Sequence, residues 1–290
     1  GASSSSTVLP ILENFLFEIK DGSLTISATD LQTSMTTSLP VESKEDGKVA
    51  VPSKILLETL KTLPDQPVAF SVDAQTFAIE ISAGDGKYKL SGENGEDFPK
   101  IPTVENASSV SMPASVLAEA INKTIFAVSN DDLRPAMTGV FCQLSPQNIT
   151  FVATDAHKLV RYRRNDTKSD AAASFILPKK ALTLLKASLG SDDSAVSLEY
   201  NSTSAFFRFG NINLICRLID ERYPDYEAVI PQSNPNKLTL DRSQFLNSLR
   251  RVVIFANKTT HQVRLKINGS ELNISSEDVD FSNEAHERLG

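Results

Sequence analysis

The chain has 290 residues, of which 40% are hydrophobic and 22% charged, and it carries a formal net charge of −7. This composition is typical of a folded globular protein and excludes a fibrous or disordered chain, while the length suffices for two or three domains. No apolar stretch approaches the ~18 residues of a membrane-spanning helix, and the Ser-rich N-terminus lacks the basic segment of a secretion signal. The sequence therefore predicts a cytoplasmic protein, in which Cys142 and Cys216 lie in apolar segments as buried thiols.

Three segments of the sequence recur at offsets of 123 to 128 residues, and their order is kept. The first reads GSLTISATD, then QNITFVATD, then more faintly SELNISSED. A shared period of this size is that of a domain rather than of a solenoid repeat. The matched stretches are 22–30 with 147–155 and 270–278, 51–63 with 177–189, and 110–121 with 238–249.

The repeat predicts three related domains, joined by polar linkers at 103–109 and 232–236. We place the first domain at residues 1–109, the second at 110–236 and the third at 237–290. In this register the first copy is short at its beginning and the third stops less than halfway. Both are therefore expected to be truncated.

Within each copy, short segments that alternate apolar and polar residues predict strands, and longer amphipathic segments predict helices. Three of the helices have a proline in the first turn, and Asp241 is expected to cap the fourth. Many strands with one or two helices per copy indicate an α+β fold in which helices pack on antiparallel sheets. Strands are expected at 24–28, 69–72, 77–81 and 87–90, and helices at 52–63, 113–128, 178–189 and 242–256.

Positive charge is concentrated in the four helical segments, which carry a net charge of +7 and leave −14 for the rest of the chain. Basic helices are often merely solvated, but the recurrence of this face in related domains favours helices that line a central hole. Duplex DNA fits such a hole, where it would be held through its phosphates without sequence readout. The helix residues predicted to face the duplex are Lys54, Lys61, Lys123, Lys179, Lys180, Lys186, Arg250, Arg251 and Lys258.

The sequence supports a catalytic function less well than DNA binding. Asp155 and His157 form a pair that the first copy does not repeat, and a Thr-Asp pair at a strand end is typical of a turn in which the carboxylate accepts backbone hydrogen bonds. Glu277, Asp278 and Asp280 form an acidic run that we expect to be a solvated loop. A metal-dependent DNA-processing enzyme that uses Asp278 and a purely structural interaction module remain alternatives, but no catalytic residue, metal or cofactor is predicted.

Three motifs resemble those of bacterial sliding clamps, the beta subunit of DNA polymerase III: LPIL at 9–12, ATDAHKL at 153–159 and RYPDYEAVIP at 222–231. The resemblance is collinear over essentially the whole chain. It implies a DNA polymerase processivity factor without catalytic activity of its own. Its repeated clamp domains would form a ring, with antiparallel sheets outside and helices around duplex DNA, by head-to-tail pairing of two full-length protomers.

The resemblance also implies two protein-binding surfaces. One is a pocket for short hydrophobic peptides from the polymerase III catalytic subunit, the clamp loader and other partners, and the other is the interface of the homodimer. The matching pocket residues are Met137, Thr154, Ala156, His157, Lys158, Leu159, Pro224 and Val229. The matching interface residues are Tyr88, Leu90, Ile254 and Phe255.

The sequence departs from the family pattern at a few of these positions. Ala156 stands where the family often has glycine, and Lys158 stands where it often has arginine. Asp131 stands where relatives can have a neutral polar residue near the duplex, whereas Arg134 and Lys180 match positions that family clamps direct at DNA. The rim of the pocket and the grip on DNA are therefore expected to differ in detail from those of relatives.

Overall fold

The computed structural model describes residues 9–190 and 193–289, which form antiparallel sheets and four α-helices. The chain divides into two compact units, one that ends at Pro224 and one that begins at Asp225. No helix in the described ranges is long and apolar enough to cross a bilayer. The thiols of Cys142 and Cys216 are free and buried, as the sequence predicts.

The first unit contains sixteen strands and three α-helices in its described residues. The helices are α1 (Ser53–Thr62), α2 (Ala114–Thr124) and α3 (Lys179–Ser188). The strands are β1 (Asn14–Lys20), β2 (Ser23–Thr29), β3 (Thr33–Pro40), β4 (Gly47–Pro52), β5 (Ala69–Val72), β6 (Ala78–Ala83), β7 (Gly86–Ser91), β8 (Glu93–Asn94), β9 (Ser108–Pro113), β10 (Gly139–Leu144), β11 (Ile149–Thr154), β12 (Leu159–Arg164), β13 (Ala173–Pro178), β14 (Ala195–Tyr200), β15 (Ser204–Phe209) and β16 (Ile212–Arg217).

One sheet of nine strands runs through both of the repeats in this unit, in the order β8-β4-β1-β2-β3-β16-β15-β14-β9. The repeats join where β3 pairs antiparallel with β16, from Thr33 opposite Cys216 to Thr37 opposite Ile212. Two smaller sheets complete the unit, with orders β12-β11-β10-β13 and β5-β6-β7. Backbone hydrogen bonds are thus continuous across the joint between the repeats.

Each repeat keeps its own hydrophobic core. The first is built around Val51, Leu56 and Ile81, and the second around Ala120, Leu182 and Phe207. In the second core, α2 buries the apolar stripe that its sequence spacing predicts, which comprises Val116, Leu117, Ala120, Ile121 and Thr124. The division into three domains stays a prediction, because the compact units do not separate the first repeat from the second.

The second unit contains α4 (Arg242–Val252) and a three-stranded sheet of β17 (Arg264–Asn268), β18 (Glu271–Asp278) and β19 (Asn283–Leu289). The helix packs on the sheet through Val252, which contacts Leu272 and Ile274. The carboxylate of Asp241 accepts a hydrogen bond from the Gln244 amide at 2.7 Å, which confirms the predicted cap.

Two helices end earlier than their apolar spacing predicts. α2 stops at Thr124 and continues as a 3-10 turn, Ile125–Ala127, and α4 stops at Val252 before the 3-10 turn Val253–Phe255. Both ends fall at runs of β-branched residues, which have low helix propensity. At Thr124 the hydroxyl also bonds back to the Ala120 carbonyl at 2.7 Å.

Candidate functional site

Two helices begin in the same way, each with a lysine as its second residue. α1 and α3 follow strands that end in Pro52 and Pro178, and each proline is the N-cap residue. The ammonium of Lys180 pairs with the carboxylate of Asp30, whereas Lys54 is exposed and has no ion pair in the described ranges. Lys54 and Lys180 thus occupy equivalent positions of the repeat, but only Lys54 has an ammonium without an ion-pair partner among the described residues.

Half of the residues predicted to face the duplex present an available charge. Their side chains are exposed and form no ion pair with any residue that the structure describes. A phosphate can approach such a group without breaking a protein contact, so these cations are the ones best able to bind an anion. They are Lys54, Lys61, Lys123, Lys186 and Arg250.

The other half are engaged within the protein, so a phosphate must compete for them. The hydrogen bonds from Arg251 lower the pKa of Glu287 to about 2, which keeps this carboxylate charged opposite Arg251. The pairs are Arg134 with Asp131 at 2.9 Å, Lys179 with Asn130 at 2.7 Å, Lys180 with Asp30, Arg251 with Glu287 at 2.6 Å, and Lys258 with the Ile254 carbonyl at 3.1 Å.

Asp30 lies in the turn between β2 and β3, beside the joint of the two repeats. Its carboxylate accepts hydrogen bonds from the Gln32 amide at 2.9 Å, from the Thr33 amide at 2.6 Å and from Lys180. Burial opposes ionisation, but the Lys180 ammonium and the two amides together hold the pKa of Asp30 below its ordinary value. Lys180 therefore ties the second repeat to the first.

An open groove of about 700 Å³ connects the two predicted sets of functional residues. Arg134 and Lys186, from the set predicted to face the duplex, line it together with His157 and Lys158 from the predicted peptide pocket. Asp131 and Asp155 contribute negative charge to the same groove, and the exposed ring of Phe126 lies at its edge. The groove is open rather than an enclosed cavity, which suits an extended ligand.

The turn after β11 is held by its own side chains. Asp155 accepts hydrogen bonds from the amides of His157 at 3.0 Å and Lys158 at 2.9 Å, and it also pairs with the Lys158 ammonium. These contacts, led by that ammonium, hold the pKa of Asp155 well below its usual range. The role predicted for Asp155 in a turn is confirmed. Ala156 adopts a positive φ of 73° in this turn, a conformation that glycine tolerates better.

Three of the predicted pocket residues meet at one end of the four-stranded sheet. Thr154 ends β11, Leu159 begins β12 opposite it, and Met137 lies two residues before β10. The three side chains are mostly covered rather than exposed. The rim residues Ala156, His157 and Lys158 and the exposed Pro224 belong to the same unit, whereas Val229 is an exposed residue of the second unit.

The predicted interface residues differ in accessibility. Tyr88 on β7 is 36% exposed, whereas Leu90 on the same strand is 7% exposed and packs in the core of the first repeat. In the second unit, Ile254 and Phe255 are 62% and 41% exposed. Burial of Leu90 corrects the expectation of a surface contact there. Tyr88 and Leu90 lie on the same side of β7, but Leu90 is covered by the core of the first repeat.

The acidic run covers the end of β18 and the turn that follows it. Glu277 and Asp280 are exposed, as expected for a solvated segment, whereas Asp278 is 1% exposed and accepts a hydrogen bond from the Asp280 amide at 3.1 Å. Among residues 9–190 and 193–289, no group of three His, Cys, Asp or Glu side chains is placed to hold a metal ion.

The sequence analysis did not predict which acidic side chains pair with the basic residues. Asp131 and Arg134 have opposite charges three residues apart, which is a signal that spacing alone provides. Asp30 and Lys180 are 150 residues apart, and only the pairing of β3 with β16 brings their segments together.

Comparison with known proteins connects this geometry to a family. Residues 2–102 match the family model described as the N-terminal domain of the DNA polymerase III beta subunit, and residues 111–225 match the model of its central domain. The chain belongs to the bacterial beta sliding clamp family. These two matches meet close to the predicted boundary at residue 109.

Curated beta sliding clamps align along nearly the whole chain. The clamp of Synechococcus elongatus is 28% identical over 286 residues, which cover 95% of this chain and 76% of that relative. The clamp of Staphylococcus epidermidis is 29% identical over 279 residues, covering 93% of this chain and 74% of the relative. The similarity therefore extends across both compact units.

Solved sliding clamps share the fold. The clamp of Bartonella birtlesii has a TM-score of 0.93 at 28% identity, and that of Pseudomonas aeruginosa has 0.92 at 26%; each match covers 100% of this chain and 78% of the solved one. Both were solved bound to griselimycin. The beta subunit from Thermotoga maritima has a TM-score of 0.91 at 27% identity. The predicted clamp fold is confirmed.

Proposed function

We propose that the chain is the processivity factor of a DNA polymerase, a clamp that encircles duplex DNA without reading its sequence. The observation that supports this best is the set of exposed cations on its helices that form no ion pair within residues 9–190 and 193–289, in a chain whose total charge is −7. Phosphates along a duplex recur every ~1.7 Å of axis, so dispersed cations bind any sequence and allow sliding. An acidic exterior would keep DNA from binding elsewhere.

A topological experiment tests encirclement. The chain would be loaded by its clamp loader onto nicked circular plasmid DNA and then passed through a sizing column in salt high enough to remove weakly bound protein. An encircling clamp stays with circular DNA and is lost when the same plasmid is linearised. Equal loss from both forms of DNA would overturn encirclement, because contact through phosphates alone does not depend on free ends.

We propose further that partners bind at the end of the four-stranded sheet in the second repeat. Met137, Thr154, Leu159 and Pro224 would hold the apolar side chains of a partner peptide. Ala156, His157 and Lys158 would form the rim. Apolar sockets with a polar rim are the usual anchor for a few dominant side chains of a partner. Partners of this kind are the polymerase III catalytic subunit and the clamp loader.

We propose griselimycin as a test ligand for this pocket, since two related clamps were solved bound to it. Calorimetric titration of the chain with griselimycin, and with its Met137→Lys variant, tests whether the pocket binds it. A charged side chain in the socket should weaken binding at least tenfold. Equal affinity in both proteins would place the ligand elsewhere.

The working form is proposed to be a homodimer, closed through Tyr88 on one protomer and through Ile254 and Phe255 on the other. These exposed apolar side chains suit an interface. Light scattering across a concentration series would give the mass of the chain and of a form extended at both ends. A dimer of the extended form that Phe255→Ala splits would support this interface, and a monomer at every concentration would contradict it.

We propose a cytoplasmic location and no catalytic activity of its own, in line with a replication clamp.

A further inference from the structure

A strap of the chain, residues 219–224, crosses one face of the four-stranded sheet. At its start, the Ile219 amide donates a hydrogen bond to the Ile176 carbonyl of β13 at 3.1 Å. At its end, the ring of Tyr223 stacks on Phe141 of β10, with ring centroids 4.6 Å apart and planes 4° apart. The strap therefore runs from β13 across β10.

The hydroxyl of Tyr223 extends one strand further, because it donates a hydrogen bond to the Val152 carbonyl of β11 at 3.4 Å. Val152 pairs with Phe141 and lies two residues before Thr154, where β11 ends. Tyr223 is 7% exposed, and the next residue is Pro224. Both anchors of Tyr223 thus lie beside the end of the sheet where Met137 and Thr154 meet.

Gly139 lets the strap lie close to the sheet. A Cβ atom at this position would lie 2.8 Å from Cδ1 of Ile219 and 2.4 Å from the Leu177 carbonyl oxygen, distances that real side chains do not adopt. Gly139 begins β10, two residues after Met137. The approach of the strap and the placement of Met137 therefore depend on the same short segment.

The first repeat contains the same strap with simpler chemistry. Phe98, 125 residues before Tyr223, packs in a small cluster with Leu16, which is 125 residues before Phe141. Phenylalanine has no hydroxyl and Leu16 has no ring, so this copy has neither the stacked ring pair nor the tyrosine hydrogen bond. Both contacts are therefore additions of the second repeat relative to the first.

We propose that Phe141 and Tyr223 are positioning residues for the partner pocket, and that they fix Pro224 as a rigid wall against an apolar side chain of the partner peptide. The inference rests on the proposed peptide-binding function and deepens it. Stacking fixes the tilt of the Tyr223 ring, and the hydrogen bond to Val152 fixes its distance along the sheet. Because proline has a fixed φ, Pro224 inherits this placement with little freedom of its own.

The test uses a double variant, Phe141→Leu and Tyr223→Phe, which gives the second repeat the residues that the first repeat has at the equivalent positions. Fluorescence anisotropy would measure binding of a labelled peptide from the clamp-binding segment of a polymerase III catalytic subunit, and of the same peptide with its leucines replaced by alanine. The control is Tyr200→Phe, the same substitution in another buried aromatic pair, whose ring lies 5.0 Å from that of Phe175. Melting temperatures of all proteins would be measured alongside.

A positioning role predicts that the double variant binds the leucine peptide about fivefold more weakly and loses most of its preference over the alanine peptide. Phe141→Tyr, which keeps the stacked ring, should retain both properties. A merely structural role predicts an equal loss for both peptides and a parallel fall in melting temperature.

Either unchanged binding in the double variant, or an equal loss for both peptides, would overturn the positioning role while leaving the pocket itself in place. Failure of the unmodified chain to bind the leucine peptide would overturn both the pocket and this inference.

Discussion

The ammonium of Lys180 at the start of α3 pairs with the carboxylate of Asp30, which lies 150 residues earlier in the turn between β2 and β3. The side chain of Asp30 is only 14% exposed, so the pair is shielded from solvent more than most surface ion pairs. A residue that the sequence assigns to the duplex is therefore also a contact between two repeats.

Asp30→Asn should destabilise the chain at neutral pH by about 1–3 kcal/mol, because it removes a shielded, charge-assisted hydrogen bond. Chemical denaturation of this variant and of Lys180→Met would measure the loss. Lys186→Met, on the same helix but without an ion pair in the described ranges, is the matched control and should change stability by less than about 0.5 kcal/mol. Equal effects of Lys180→Met and Lys186→Met would contradict a role for the pair.

The same carboxylate predicts a pH dependence. Because the pKa of Asp30 is lower in the folded chain than its ordinary value, its contribution to stability is present above the unfolded pKa of about 3.9. It disappears as the pH falls through the folded pKa. The difference in unfolding free energy between the unmodified chain and Asp30→Asn should thus shrink in acid. A difference that stays constant from neutral pH down to acid would show that ionisation of Asp30 does not stabilise the fold.

Asp131→Asn should strengthen binding to DNA. The substitution releases Arg134 from an ion pair at 2.9 Å, so that its guanidinium can bind a phosphate instead. Fluorescence anisotropy with a labelled duplex across a salt series should show tighter binding and a slope steeper by about 0.9 per added phosphate contact. Asp131→Asn combined with Arg134→Ala should show neither change. A gain that persists in the double variant would mean that Asp131 acts through its own charge.

Lys186→Ala should weaken DNA binding equally for every sequence and reduce the salt slope by about one contact. Lys186 is exposed on α3 and free of ion pairs among the described residues. Lys168→Ala, an exposed lysine outside the helices, is the matched control and should leave the slope unchanged. An effect confined to one duplex sequence would contradict non-specific encirclement.

Ala156→Gly should stabilise the fold by about 0.5–1 kcal/mol, since a β-carbon is strained at a φ of 73°. Thermal melting would detect the gain. Ala187→Gly, at an exposed position inside α3, should destabilise by a similar amount, because glycine lowers helix propensity where φ is ordinary. Destabilisation by both substitutions would show that the turn after β11 is relaxed with alanine.

Much of the fold could be predicted from the sequence because its signals are local. The proline that precedes α1, the carboxylate cap of α4 and the apolar stripe of α2 all lie within a few residues of what they specify. The repeats strengthened these predictions, because the same strand–helix pattern occurs in more than one copy. Helix ends were predicted less well because the β-branched runs at Thr124 and Val252 favour a tighter turn than the hydrophobic period indicates.

The candidate site was harder to predict, because it depends on which charges meet. Counting lysines and arginines on helices identified nine basic residues, and the family resemblance added Arg134. Neither showed that Arg134 is held by Asp131 or Arg251 by Glu287. Leu90 illustrates a second limit. It shares one face of β7 with Tyr88, and only the folded sheet shows that the core covers this face at Leu90 but leaves Tyr88 exposed. Pairing across sheets cannot be read from spacing when partners are far apart along the chain.

The pairing of β3 with β16 has a mechanical consequence. Backbone hydrogen bonds from Thr33 to Cys216 and onward make the two repeats parts of one sheet, so separating them would break several bonds at once. A clamp built from this chain is therefore expected to open at another junction and not between β3 and β16.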